Sequence, residues 1–283
     1  MDRLGNRRSD GLADQIVLKP RLPRHITLTM KLFLPLLAGL AIAAHANAQQ
    51  LPTVDQLLTR VTAYAQQYRQ SVPSFEADES AISQWVKNGQ VTWEVRLEMT
   101  VEEVRVESKP DELDDRYTFH LIDGKPPKKH FKLPYFAHGV FANALGFGHP
   151  EQNNCFDFRV SPGDSSTTVE LEMAVKPAPL PPNCADIPDE YRKITIVDTA
   201  TGRVLHVTRS MSARAAHERH EIVFVSVDYA PQKLGDETFW LPVRFESHDG
   251  KNEGRLLATY SNFHRYTSTA KVVDGDSPPQ VVQ

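Results

Sequence analysis

Apolar residues recur along the sequence at two spacings, and the change between them falls near Pro73. Before that proline they recur at steps of three and four residues, from Val54 to Tyr68. This spacing predicts a helix that begins at Pro52-Thr53 and ends near residues 71–73. Its apolar stripe is wide enough to need a sheet as a packing partner. After Pro73 the period changes to two, which predicts strands.

The longest alternation runs from Val91 to Val101 and places Trp93 on its apolar face. Its phase slips at Glu102-Glu103, which predicts a bulge or bend. Because no strand–helix–strand spacing appears, a parallel sheet is disfavoured. The sequence predicts a mainly β protein with an N-terminal helix and an antiparallel meander of roughly nine to eleven strands. Later strands are predicted at 117–121, 156–160, 169–175, 194–197, 204–208, 220–229, 237–248 and 255–266.

Two segments fit neither period. The apolar patch from His138 to Phe147 is consistent with a helical turn or a lid loop. Residues 176–188 contain too many prolines for a strand and are predicted to form a loop.

The N-terminal region has the pattern of a secretory signal peptide at residues 30–48. Lys31 precedes an apolar run from Leu32 to Ala44, and Ala46-Asn47-Ala48 is a cleavage site that ends at Ala48. The alternative is a transmembrane anchor, but such a run spans about 20 Å as a helix, short of a ~30 Å hydrocarbon core. Residues 1–29 are interpreted as an upstream extension from a misplaced start site. The exported protein is expected in the periplasm or outside the cell.

Composition excludes several classes of protein. The chain of 283 residues is 40% hydrophobic and 24% charged, which is ordinary for a globular protein. After cleavage, 25 Lys and Arg stand against 33 Asp and Glu, so a general nucleic-acid binder is disfavoured. Residues 49–271 are expected to form one domain, and residues 272–283 a disordered tail.

The two cysteines, Cys155 and Cys184, both follow the cleavage site. An oxidising compartment favours a disulfide between them over two free thiols. No C-x-x-C motif indicates a redox site.

Candidate reaction chemistry is sparse. The segment His217–Glu221 resembles a zincin motif, but the second histidine is not at the required spacing and the segment leads into a strand. Acidic pairs such as Glu102-Glu103 and Asp114-Asp115 are interpreted as solvated faces. We therefore expect no catalytic residues, metal or cofactor.

Large apolar side chains are the more informative class. Most are expected to fill the core. Because the strands outnumber what one helix can cover, part of the apolar face is predicted to line a lipid-sized cavity. The candidate ligand-binding residues are Trp93, Phe119, Phe158, Met173, Phe224 and Trp240.

Three strings carry a resemblance to known proteins: Val197–Leu205, Val227–Arg244 and Tyr260–Thr267. With the export signal and the leading helix, they resemble a family of uncharacterised bacterial envelope proteins and, more distantly, the LolA/LolB and RseB-like superfamily. That resemblance implies an antiparallel half-barrel closed by helices over an apolar cavity, which in LolA holds lipoprotein acyl chains. The proline-rich loop and the single clear helix depart from LolA, and none of its functional residues is carried over.

Three functions are compatible with these observations. The first is a non-catalytic carrier or sensor that binds lipid or lipoprotein acyl chains. The second is a structural or protein-interaction module of the envelope with a filled barrel. The third is a hydrolase built on the His217–Glu221 segment.

Overall fold

The computed structural model describes residues 51–106, 108–137, 140–143, 150–184, 187, 190–214, 220–249, 253–265 and 280–281. The predicted signal peptide, its cleavage site at Ala48 and the extension before it lie outside these residues. So does most of the predicted tail, apart from Gln280–Val281. Among the residues that the structure describes, no helix is long and apolar enough to cross a membrane.

The predicted helix is confirmed as α1, Val54–Ser71. Thr53 caps it: its hydroxyl accepts a hydrogen bond from the Gln56 backbone, and the Gln56 side chain accepts one from the Thr53 backbone. This reciprocal pair satisfies two amides that the first helical turn would leave unpaired. The stripe of Leu57, Val61, Ala65 and Tyr68 is buried.

Ten strands form one antiparallel sheet. In chain order they are β1 Phe75–Lys87, β2 Gln90–Val106, β3 Lys109–Ile122, β5 Phe156–Pro162, β6 Thr168–Val175, β7 Arg192–Asp198, β8 Val204–Arg214, β9 His220–Leu234, β10 Glu237–Asp249 and β11 Gly254–Arg265. Their order across the sheet is β3-β2-β1-β11-β10-β9-β8-β7-β6-β5. A short parallel pair, β4 His130–Phe131 with β12 Gln280–Val281, lies apart. The predicted fold class is confirmed.

The sheet is open, with β3 and β5 as its edges, yet α1 contacts both of these strands. Ten strands laid flat would span about 43 Å from edge to edge at ~4.8 Å per strand. A helix of 18 residues is only about 27 Å long. The sheet must therefore curl around α1, which gives a half-barrel with one inner and one outer face.

Aromatic side chains from the segment after β3 complete the cover of the inner face. The short helix α2, Val140–Asn143, presents Phe141, which is fully buried against Phe75 and Tyr260 at ring separations of 5.2 and 4.9 Å. Phe136 packs against Phe119 at 5.6 Å. The described part of the apolar patch, Val140–Asn143, is thus a helical turn whose Phe141 fills the core over β1 and β11.

The disulfide between Cys155 and Cys184 is confirmed, with the two Cα atoms 5.7 Å apart. It ties the start of β5 to the proline-rich loop, which contains no strand among its described residues. Both cysteines are fully buried with Phe156 and Met173 in a small second core. This core is separate from the main one beneath α1.

Two details of the strands differ from the sequence prediction. The predicted bulge or bend at Glu102-Glu103 is wrong. The inner positions of β2 continue from Val101 directly to Glu103, which is fully buried. The register shifts of β2 against β3 lie elsewhere, at Glu98/Met99 and Arg105/Val106. The alternation of a strand depends on its backbone geometry, so a carboxylate can occupy an inner position without a bulge.

Candidate functional site

A cleft of about 820 Å³ opens between the start of α1 and two turns at one end of the sheet. The turns are those between β5 and β6 and between β7 and β8. Its floor includes Val169, which is 1% exposed and belongs to the main core. The cleft therefore reaches the edge of the core beneath the helix. Its lining comprises Leu51, Pro52, Thr53, Gln56, Arg60, Pro162, Ser165, Ser166, Thr168, Val169, Thr199 and Ala200.

The lining combines polar and apolar side chains. Five of the lining side chains carry hydroxyls, and Arg60 is the one charged residue of the lining. The remaining lining residues are mostly apolar. A cleft with these groups can accept an amphiphile, with hydrogen bonds to its polar part and apolar contact with the rest.

Arg60 also fixes the helix to the sheet. Its guanidinium donates a hydrogen bond to the backbone carbonyl of Thr199. The neighbouring Gly202 has φ +72°, and a Cβ there would lie 2.6 Å from the carbonyl atoms of Arg60. Only glycine permits both this backbone conformation and this close approach. The first half of α1 therefore rests directly on the β7–β8 turn.

The other end of α1 is held by an arginine from the sheet. Arg105 on β2 donates hydrogen bonds to the carbonyls of Arg69, at 2.6 Å, and Val72. These carbonyls belong to the end of the helix, where backbone acceptors lack intrahelical donors. Between the two arginines the helix faces the sheet with apolar side chains. The helix is thus pinned at both ends by polar contacts.

A group of carboxylates lies on the inner face beneath the end of α1, and we call Glu79, Glu103 and Asp115 the inner acidic cluster. Glu103 on β2 is directly opposite Asp115 on β3. Glu79 on β1 is opposite Tyr260 on β11. Glu79 and Glu103 are 3% and 0% exposed. Among the described residues, neither carboxylate oxygen of Glu103 has a hydrogen-bond partner.

Burial controls the protonation of this cluster. It raises the pKa of Glu79 to about 8 and that of Glu103 to about 9, and the negative charge of Asp115 contributes to both. Both groups are therefore protonated at neutral pH. Burial and the nearby Glu103 likewise raise the pKa of Tyr68 on α1. The phenol of Tyr117 donates a hydrogen bond to Asp115 at 2.8 Å.

A basic pair also lies on the inner face, toward the opposite edge of the sheet. Lys193 on β7 is directly opposite Arg209 on β8 and is 2% exposed. Burial, followed by the positive charge of Arg209, lowers the pKa of Lys193 to about 7. The inner face thus has carboxylates on its β1–β3 side and cations on its β7–β8 side.

The structure does not bring together the six apolar residues suggested as cavity candidates. Phe119 is packed in the core between Phe131 and Phe136, and Phe158 and Met173 contact the disulfide core. Trp240 lies under the guanidinium of Arg203 at 4.7 Å. None of the six lines the described cleft.

Two of those candidates lie away from the core. Phe224 has the opposite phase in β9 from the buried Val227 and Tyr229, so it belongs to the outer face. There its ring makes an edge-to-face contact with His248 at 5.3 Å. Trp93 keeps the inner phase of β2 but is 44% exposed, because the strand extends beyond the part that α1 and α2 cover. Trp93 is therefore not part of the buried core, and its role in ligand binding stays a prediction.

Sequence reasoning missed both buried charge groups. It assigned Glu102-Glu103 to a solvated face, whereas Glu103 points inward. The available signal was the unbroken two-residue step from Val95 through Val101 to position 103. In the zincin-like segment, residues 217–219 lie outside the described residues. The described residues hold no group of three His, Cys, Asp or Glu side chains suited to a metal ion.

Comparisons with known proteins give distant structural neighbours. No family model and no curated protein matches the sequence. One similar solved structure is a domain from Vibrio parahaemolyticus described as an outer membrane lipoprotein-sorting protein, with 11% identity and a TM-score of 0.39 over 77% of this chain and 93% of that one. Another is a DUF1329 family protein from Desulfovibrio piger, with 11% identity and a TM-score of 0.29 over 78% of this chain and 93% of that one. The identities and TM-scores are too low for these neighbours to assign a ligand or an activity to the present chain.

Proposed function

We propose that this chain is a non-catalytic envelope protein that binds the acyl chains of a lipid or lipoprotein beneath helix α1. The observation that carries the proposal is the cleft of about 820 Å³ at the start of that helix. Its volume is within the range of about 300–1,000 Å³ typical of small-molecule sites. The signal-peptide pattern at residues 30–48 supports a location in the envelope.

The lining of the cleft supports an amphiphilic ligand. Hydroxyls from Ser165, Ser166 and Thr199, together with the guanidinium of Arg60, are suited to a polar head group. Val169 leads from the cleft into the apolar core. An acyl chain would follow that direction and replace part of the contact between α1 and the sheet.

The helix is suited to act as the cover of such a site. Polar contacts hold its two ends through Arg60 and Arg105. Its middle packs on the sheet mainly through apolar side chains and the ring of Tyr68, which lies near Glu103. Apolar contacts are not directional, so an acyl chain can replace them at little cost in specific geometry. The loss of the polar contact at Arg60 would open the cleft end first.

Copurifying lipid provides the test. The protein is purified from the envelope of an expressing cell, extracted with organic solvent, and analysed by mass spectrometry. Ala200→Trp is the blocking variant, because Ala200 is exposed and lines the cleft. Asp236→Trp is the matched control, because it adds the same side chain to an exposed turn at the same end of the sheet but away from the lining.

We expect acyl lipids with the wild type and with Asp236→Trp, and a loss of at least several-fold with Ala200→Trp. Equal lipid in all three proteins would place the ligand elsewhere and contradict the site. No lipid with any of them would contradict lipid binding itself.

One observation favours a second candidate, a structural or protein-interaction module. Phe75, Phe141 and Leu57 are fully buried and fill the space over β1–β3. In that case β3 and β5 would offer open edges for a partner strand. Recovery of a defined envelope protein on the purified chain, without lipid, would support this alternative.

A further inference from the structure

The hairpin that joins β1 and β2 carries apolar side chains beyond the covered part of the sheet. Its turn is Asn88-Gly89, with φ +53° and +74°, the positive values that a tight two-residue hairpin requires. Pairing between β2 and β3 begins only at Leu97. Before that residue, β1 is the one described strand that pairs with β2. The hairpin therefore projects past its neighbour on that side.

Two cross-strand pairs at the end of this hairpin form what we call the aromatic tip. Trp85 is directly opposite Trp93, and Val86 is opposite Val91. Val91 is 51% exposed and Trp93 is 44% exposed. Only one other large apolar side chain among the described residues is exposed to this degree. Two of the three exposed large apolar side chains of the described residues therefore lie at this projecting end.

We propose that the aromatic tip docks on a lipid bilayer, with Trp93 and Val91 inserted at the boundary between head groups and acyl chains. Tryptophan favours this boundary because its ring is apolar and its indole N–H stays near water. Lys87 is exposed beside the turn, but the Glu253 carboxylate accepts a hydrogen bond from the Asn88 amide there, so the contact rests on apolar insertion and not on charge. The acyl-chain site proposed above is not required for this contact.

The size of the tip favours a bilayer over a protein partner. Four side chains offer at most a few hundred Å² of contact. A stable protein interface takes about 800 Å² from each partner, so a second copy or another protein would need further surface. A bilayer needs only the inserted groups. The tip also lies at the end of the sheet opposite the cleft. The β1–β2 turn is at one end of the strands, whereas the β5–β6 and β7–β8 turns are at the other end.

Tryptophan fluorescence provides the test, because the chain has three tryptophans and two of them are at the tip. The third, Trp240, is removed by Trp240→Phe. This protein is mixed with vesicles of phosphatidylethanolamine and phosphatidylglycerol, with and without bromine on the acyl chains. We expect a blue shift of the emission on vesicle binding and quenching by the brominated lipid.

Two variants in the Trp240→Phe protein locate the contact. Trp93→Ala should weaken vesicle partition roughly tenfold or more, given the apolar area that it removes. Gln90→Ala changes an exposed polar residue of the same hairpin and should leave partition unchanged. Sedimentation with vesicles measures both, and circular dichroism checks that each variant is folded.

Three results would overturn the proposal: no sedimentation with vesicles, sedimentation without acyl-chain quenching, or equal partition of Trp93→Ala. Concentration-dependent self-association that Trp93→Ala abolishes would assign the tip to a second copy instead. Because the lipid-extraction test uses Ala200→Trp at the other end of the sheet, either proposal can fail while the other holds.

Discussion

The two sides of the inner face bury opposite charges in different ways. On the β1–β3 side, Glu79 and Glu103 lie beneath α1 with aromatic neighbours, and burial raises their pKa values. On the β7–β8 side, Lys193 and Arg209 are adjacent, and burial lowers the pKa of Lys193. Burial therefore favours the neutral carboxyl groups of Glu79 and Glu103 and the neutral amine of Lys193, so the contributions of the two sides to stability depend on pH in opposite directions.

This difference shows how one continuous sheet can hold two independent regions. The acidic side is closed by α1 and α2, whose contacts are non-covalent. On the β5–β7 side, the start of α1 covers one end of the strands and the disulfide core around Cys155 and Cys184 covers the other end. A ligand that enters the cleft would displace the first half of α1 from the β7–β8 turn, whereas the disulfide would still hold the start of β5 to the proline-rich loop.

The largest expected effect concerns the inner acidic cluster. The native pKa values of about 8 and 9 exceed the ordinary value of 4.5, so the native state keeps protons that the unfolded state releases. Stability from these groups is complete below about pH 4.5 and is lost as the pH rises toward 9. The double variant Glu79→Gln/Glu103→Gln should lose this dependence and gain on the order of 5 kcal/mol at pH 7.

Urea denaturation between pH 4 and 9 measures this effect. The control is Glu102→Gln, which changes the neighbouring carboxylate on the outer side of β2. It should retain the wild-type slope. A double variant with the same pH slope as the wild type would mean that the two carboxylates are not buried as described.

The second effect is the opposite dependence at Lys193. Its native pKa of about 7 lies below the ordinary 10.5, so its contribution is complete above pH 10.5 and is lost as the pH falls toward 7. Lys193→Met should raise the free energy of unfolding by on the order of 4 kcal/mol near pH 6. Lys233→Met, on an exposed position of β9, is the control. A stability loss with Lys193→Met at pH 6 would show that the ammonium is better solvated than its burial indicates.

The third effect separates the disulfide core from the acidic side. Cys155→Ser/Cys184→Ser removes a bond that spans 29 residues, which costs about 3–4 kcal/mol in the chain-entropy model. Hydrogen exchange should accelerate most in β5–β7 and least in β1–β3. Equal acceleration across the whole sheet would mean that the two sides unfold as one unit.

The smallest effect on stability concerns Trp93, at the exposed end of the inner face. Trp93→Ala should cost about 1–2 kcal/mol, since the side chain is 44% exposed and lies opposite Trp85 at the end of the hairpin. Phe75→Ala, at a fully buried position one strand away, should cost about 3–5 kcal/mol. Similar losses for the two variants would place Trp93 in the core after all.

The elements with clear periodicity could be predicted from the sequence. The helix, the β7–β8 hairpin and the disulfide follow from capping, turn residues and compartment. Strand β1 was missed because its inner positions are Ala77, Glu79, Ala81 and Ser83, which lack the large apolar residues that mark a buried face. Such small and ionisable residues become buried because α1, α2 and the segment around Tyr135, whose backbone hydrogen-bonds with the Ser83 hydroxyl, pack above them.

The candidate site could be predicted less completely than the fold. Alternation fixes the face on which Trp93 lies but not how far the cover extends along the strand. The cleft is formed by α1 and two turns that are distant in sequence, so no local pattern marks it. The one sequence signal for the burial of Glu103 was its position in the alternation of β2, which puts it on the same face as Val101.

Hydrogen exchange across α1 tests the central claim, that this helix is a displaceable cover over a ligand site. Amides from residues 57 to 68 are followed by mass spectrometry, with and without a soluble short-chain phosphatidylglycerol. We expect these amides to open well below the free energy of global unfolding, and their protection to change when the lipid is added. Exchange only through global unfolding, unaffected by the lipid, would contradict the claim and leave α1 as a permanent part of the core.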